Sequence, residues 1–136
     1  MSHSPILRRQ QQIWTTLAVM LWLVITVLSL LPGNERPHTG YSGNAEHFAA
    51  YAGAASVTAL AFRSWAPVWL VLPFSLASAL FEVAQLFIPG RSSGVDNWFF
   101  STFGALVGVL LARWLLRPVL DRLLAPGASP LPGGER

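Results

Sequence analysis

The chain has 136 residues, of which 53% are hydrophobic and only 11% charged, a balance that excludes an ordinary soluble domain and points to an integral membrane protein. All nine basic residues are arginines and the formal net charge is +3, but these arginines are scattered rather than gathered into one patch, which argues against a nucleic-acid reader. The absence of cysteine excludes a thiol nucleophile and a thiolate metal site.

Four stretches approach the roughly 20 apolar residues that a spanning helix requires. Residues 1–12 form a basic N-terminus, and the first stretch follows it at 13–31 (IWTTLAVMLWLVITVLSLL). Its apolar core is longer than that of a signal peptide and no A-x-A site follows, so it reads as an uncleaved helix. The loop 32–44 is punctuated by Pro and Gly and reads as irregular. Asn44 is the expected N-cap of a second helix over 46–62, with Glu46 in its first turn, where the helix dipole favours a negative charge. This second stretch is the least apolar of the four, being rich in Ala and Gly, residues that favour close helix contacts in lipid.

A tight link leads to the third stretch, 66–88, in which Pro67 suits the first turn and Pro73 predicts a kink. The connection PGRSSGVD is short enough to make the third and fourth helices antiparallel neighbours. The fourth stretch covers 97–116, and residues 117–136 form an extension whose end, APGASPLPGGER, has the composition of a disordered tail. The expected fold is therefore all-α: a four-helix transmembrane bundle over 13–116. Arg8, Arg9, Arg63, Arg113, Arg117, Arg122 and Arg136 lie on one side of such a bundle and only Arg36 and Arg91 on the other. The positive-inside rule then places both termini in the cytoplasm.

Glu82 stands out inside ALFEVAQLFIPGR, because a charge at the bilayer centre costs about 2.5–3.5 kcal/mol on insertion scales. Ser75, Ser78, Glu82 and Gln85 recur at spacings that put them on one helical face. His47 and Tyr51 are four apart on the second helix, and Asn97 and Ser101 four apart on the fourth. With Arg91 and Asp96, the residues His47, Tyr51, Glu82, Gln85, Asn97 and Ser101 all fall at the same end of the bundle, in the outer leaflet. Gly104 and Gly108 continue the stripe of the fourth helix as a packing groove.

The motifs EHFAAY, EVAQLFIPGR and GALVG, in this order, resemble the VanZ-like family of small bacterial membrane proteins over about residues 33–110. Its signature is a His with a Tyr four later, Glu-x-x-Gln, Pro-x-Arg, and then Asp, Asn and two Gly. His47, Tyr51, Glu82, Gln85, Arg91, Gly104 and Gly108 match it directly. Anchored on Gly104, the Asp position falls on Asn97 and the Asn position on Ser101, with Asp96 one residue away. The family takes its name from a protein associated with resistance to the glycopeptide teicoplanin. The resemblance implies a multi-pass protein of the bacterial cytoplasmic membrane and an envelope or antibiotic-tolerance setting.

Three readings of the polar cluster are open at this point. In the first, Tyr51, Gln85, Arg91, Asp96, Asn97 and Ser101 bind a lipid headgroup, a lipid-linked wall precursor or a lipophilic antibiotic, with Arg91 clamping an anionic group. In the second, the site is catalytic on lipid headgroups, with His47 and Glu82 in acid-base roles, although no G-x-S-x-G, H-E-x-x-H or P-loop accompanies them. In the third, the cluster is a structural or assembly module. No metal or cofactor is expected. The expected partners are membrane lipids or a lipid-linked precursor, with a second copy of the chain as a further candidate.

Overall fold

The computed structural model describes residues 5–35, 37 and 39–124. The tail 125–136, expected to be disordered, lies outside the described residues, as does Arg36. The described residues form α1 (Pro5–Leu30), α2 (Gly43–Ala61), α3 (Pro67–Gln85), α4 (Val95–Leu111), a π-helical turn (Ala112–Leu116) and α5 (Arg117–Leu124), and no strand. α1 starts well before its apolar run and α3 ends at Gln85, short of the expected 88. The fourth helix passes 116 through the π turn into α5.

The N-cap of α2 is Ser42 rather than Asn44: its hydroxyl accepts the Ala45 N–H at 3.3 Å, so the helix begins two residues earlier than Asn44 would allow. α2 ends where the Phe62 N–H closes onto the Thr58 carbonyl at 2.9 Å, and Pro67 opens α3 at a position that needs no intrahelical N–H. α3 continues through Pro73. Asp96 does not cap α4, whose N-cap is Gly94 with no side-chain hydrogen bond.

α2 packs most extensively against α4, α3 against α4, and α1 against α2, whereas α2 touches α3 only lightly. Contacts between named residues give the directions. Phe48 and Ala52 of α2 meet Gly104 and Gly108 of α4 in increasing order, so these two helices are parallel. Glu82 meets Asn97 while Ser75 meets Trp98 and Thr102, so α3 and α4 are antiparallel. Trp22 stacks on Phe74 at 4.2 Å and Gln85 reaches the carbonyl of Ser29, so α1 and α3 run in parallel.

The α2–α4 contact is a backbone contact. A Cβ on Gly104 would lie 2.4 Å from the Phe48 carbonyl oxygen, and one on Gly108 would lie 2.2 Å from that of Ala52. Only glycine permits this approach, and the Ser56 hydroxyl exploits it by bonding the carbonyls of both Ala52 and Gly108, at 2.8 and 2.9 Å. The core alongside is built from small and aromatic residues, including Ala54, Ala55, Ala105, Val109, Phe74 and Tyr51.

Three helical stretches, Arg8–Leu30, Pro67–Gln85 and Val95–Leu123, are long and apolar enough to cross a membrane. α2 is not among them, because Ala, Gly and polar residues dilute its hydrophobicity. It is also the helix most enclosed by its neighbours, with most residues from Ala54 to Ala61 buried. A helix wrapped by other helices need not match lipid over its whole surface.

The α1–α2 and α3–α4 connections lie at one end. They are pinned together where the Gly33 N–H donates to the Pro89 carbonyl at 3.1 Å, and a Cβ on Gly33 would collide with the Gly90 backbone. Gly90 itself takes a positive φ of 72°, which turns the chain into Arg91. At the opposite end Arg63 pairs with Asp121 at 2.8 Å, tying the end of α2 to α5, while Gln11 of α1 bonds the Ala61 carbonyl and Arg113 bonds that of Trp65.

Candidate functional site

The polar residues of α2, α3 and α4 meet beneath the pinned connections, in two layers. The deeper layer is a clasp around Glu82, which is only 7% exposed. Its Oε2 accepts the Gly94 N–H at 2.8 Å and the Asn97 amide at 3.3 Å. Its backbone carbonyl accepts the Ser93 hydroxyl at 2.7 Å. Asn97 also donates to the Ser92 carbonyl at 3.1 Å. Glu82 thus holds the α3–α4 connection onto α3, and satisfies an N–H at the start of α4 that no side-chain cap supplies.

Beside it, Gln85 is almost wholly buried and donates to the Ser29 carbonyl of α1 at 2.9 Å. Tyr51 is buried at the centre, its ring packing edge-on against Phe74. Ser101 shares a 3.2 Å hydrogen bond with the Nδ1 of His47. Ser78 Oγ, Glu82 Oε1 and Gln85 Oε1 have no protein hydrogen-bond partner among the described residues.

The upper layer consists of two adjoining cavities. One, of about 370 Å³, is bounded by backbone and polar groups of both connections, including Thr39, Gly90, Ser92 and Asn97. The other, of about 560 Å³, lies between α1 and α2 with Ile25, Leu28, Ala49 and Ala50 along its sides. His47, Glu46, Arg91, Thr39, Tyr41 and Pro37 border both. The Thr39 hydroxyl bonds Glu46, which fastens the α1–α2 connection over the junction.

The sequence candidates divide accordingly. His47 and Arg91 border both cavities, Tyr51 lines the larger and Asn97 the smaller. Glu82, Gln85 and Ser101 line neither and are buried between helices. Asp96 joins neither layer: it is exposed, and its carboxylate folds back over Gly94. Asn97 therefore occupies the place beside Glu82. Among the described residues, no group of three or more His, Asp and Glu side chains is disposed to hold a metal ion.

Sequence reasoning missed Ser29, which supplies a carbonyl to Gln85 and lines the larger cavity. Its signal was a hydroxyl, one of two with Thr26, in the otherwise apolar run VITVLSLL. Reasoning from side chains also missed the Gly94 N–H, since a backbone donor carries no residue-type signature.

No curated protein and no solved structure matches the chain. A family match does exist, to VanZ/LLP1, and it covers residues 4–117, taking in α1 as well as the motif-bearing segment from His47 to Gly108. With the match extending over most of its length, the chain belongs to the VanZ/LLP1 family.

Proposed function

We propose that the protein binds the headgroup of an anionic membrane amphiphile, such as a lipid, a lipid-linked wall precursor or a lipophilic antibiotic of the glycopeptide type. The observation that carries this reading is the junction of a polar cavity and an apolar one at Arg91 and His47. Arg91 offers a planar fork of donors suited to phosphate or carboxylate. His47 adds a ring nitrogen on the same rim, and Asn97 and the backbone near Gly90 complete a polar wall.

The setting we propose is the bacterial cytoplasmic membrane, with all four long helices crossing it, both termini in the cytoplasm and the junction in the outer leaflet. The arginine distribution supports this orientation, and the enclosure of α2 accounts for its modest hydrophobicity. Reporter fusions at the C-terminus test it: a periplasmic reading would reverse the assignment.

The acid-base reading fits the geometry less well. Glu82 borders neither cavity, its Oε2 is held by Gly94 and Asn97, and Ser101, the hydroxyl bonded to His47, is fully buried. A nucleophile there would have no access to a headgroup. We assign Glu82, Gln85 and Ser101 to holding the site in shape and Arg91 and His47 to contacting the ligand.

The test is equilibrium binding of dioleoyl phosphatidylglycerol to the purified full chain in maltoside micelles. Arg91→Ala is expected to weaken binding at least about tenfold, the equivalent of roughly 1.4 kcal/mol, within the range of a charge-assisted contact. Unchanged affinity in that variant would remove Arg91 from the site.

A further inference from the structure

The larger cavity has walls unlike those of a headgroup pocket. On α1 it is bounded by Ile25, Leu28 and Ser29, and on α2 by residues from Ala45 to Tyr51, a length of about 9 Å at 1.5 Å per residue. Below His47 and Ser29 these walls are almost entirely hydrocarbon, with Ile25 and Tyr51 buried at its base. Leu28, Ala49 and Ala50 are exposed, so the cleft opens on its flank between the two helices, on the surface that α1 presents with Val24, Val27 and Leu28. Ala49 and Ala50 create the space: a larger side chain at either would project into the cleft from α2.

We infer that this cleft is the seat of one acyl chain of the amphiphile whose headgroup is held at Arg91, the chain entering sideways from the bilayer between α1 and α2. The inference rests on the headgroup reading above and adds the class of ligand: a molecule with a phosphate-type anion and a hydrocarbon chain attached near it. Two features favour this occupant over a helix of another protein. The cleft leads directly into the polar cavity through the shared residues His47, Glu46 and Arg91, so one molecule with an anionic end and an apolar end fills both. Its volume of about 560 Å³ falls within the range of small-molecule sites, roughly 300–1,000 Å³, and on α2 its lining ends at Tyr51 rather than running the length of the helix as a helix-docking groove does.

The consequence is that affinity depends on the hydrocarbon as well as on the charge. Filling the cleft from an exposed position tests this without disturbing the core. Ala50→Phe, compared with wild type and with Arg91→Ala, is assayed for binding of dioleoyl phosphatidylglycerol by the full chain in maltoside micelles, with helical content checked by circular dichroism. Ala50→Phe is expected to weaken binding at least about tenfold at unchanged helicity, an effect that loss of contact with about two methylene groups suffices to produce. A second variant, Ala50→Ser, changes polarity but not volume and is expected to bind within about twofold of wild type, as a steric account demands. If Ala50→Phe binds as wild type does while Arg91→Ala loses affinity, the headgroup site stands and the acyl cleft is refuted. If wild type shows no binding of the lipid, both readings fall together.

Discussion

Replacing Gly108 by alanine separates backbone packing from helix propensity. The added Cβ would stand 2.2 Å from the Ala52 carbonyl oxygen, whereas ordinary contacts begin near 3.4 Å, so α2 and α4 must move apart by about 1 Å. Overpacking of this kind costs about 1–3 kcal/mol. The same movement weakens the bond from the Ser56 hydroxyl to the Gly108 carbonyl, worth about 0.5–1.5 kcal/mol. Against this stands the helix preference of alanine over glycine, at most about 1 kcal/mol. In a bilayer even that gain shrinks, because separated membrane helices remain helical. The expected net loss is about 1–3 kcal/mol. Gly53→Ala is the matched control, since a Cβ there meets nothing within 4 Å, and it is expected to be neutral or stabilising by up to about 1 kcal/mol. Unfolding by dodecyl sulfate in mixed micelles, followed by circular dichroism, compares the two. If Gly108→Ala proves as stable as Gly53→Ala, the close α2–α4 contact is refuted.

Three further outcomes are expected. Glu82→Ala strands the Gly94 N–H, leaves the Asn97 amide with Ser92 as its one acceptor and is expected to cost about 1–3 kcal/mol, while Glu82→Gln retains a carbonyl acceptor for both and loses less than half as much. Equal losses in the same unfolding assay would show that Glu82 acts through its charge rather than as an acceptor. Asp121→Asn removes the partner of Arg63 and Arg117; because these groups are a third to a half exposed, the change is expected to stay within about 1 kcal/mol and to vanish at high salt. A larger, salt-insensitive loss would contradict a surface role for that pair. Asp96→Ala is expected to leave lipid binding within about twofold of wild type, since Asp96 is exposed and borders neither cavity, and a tenfold loss would return it to the site.

Much of the site was legible because its elements have strict periodicities. The spacings of Ser78, Glu82 and Gln85 put them on one face of α3, and that face is buried. The brevity of PGRSSGVD made α3 and α4 antiparallel, and Gly104 and Gly108 announced a close contact. The partner of that contact was not legible: nothing local in the chain says that α4 lies parallel to α2, with Phe48 and Ala52 against its glycines. The competition between Asn44 and Ser42 for the N-cap, and between Asp96 and Asn97 for Glu82, turned on one or two residues of helix phase, a quantity composition does not resolve.

The sequence by itself determined the helical, membrane-like character of the chain, its family motifs and the end of the bundle at which its polar residues gather. These follow from composition and period, which are local properties. Only the tertiary structure decided which of those residues face a cavity and which are sealed. Glu82, the most conspicuous charge in the sequence, is enclosed by Gly94 and Asn97, while Arg91 and His47 border open space. That division depends on how four helices pack and on where two loops are pinned at Gly33 and Pro89, contacts between residues far apart in the chain.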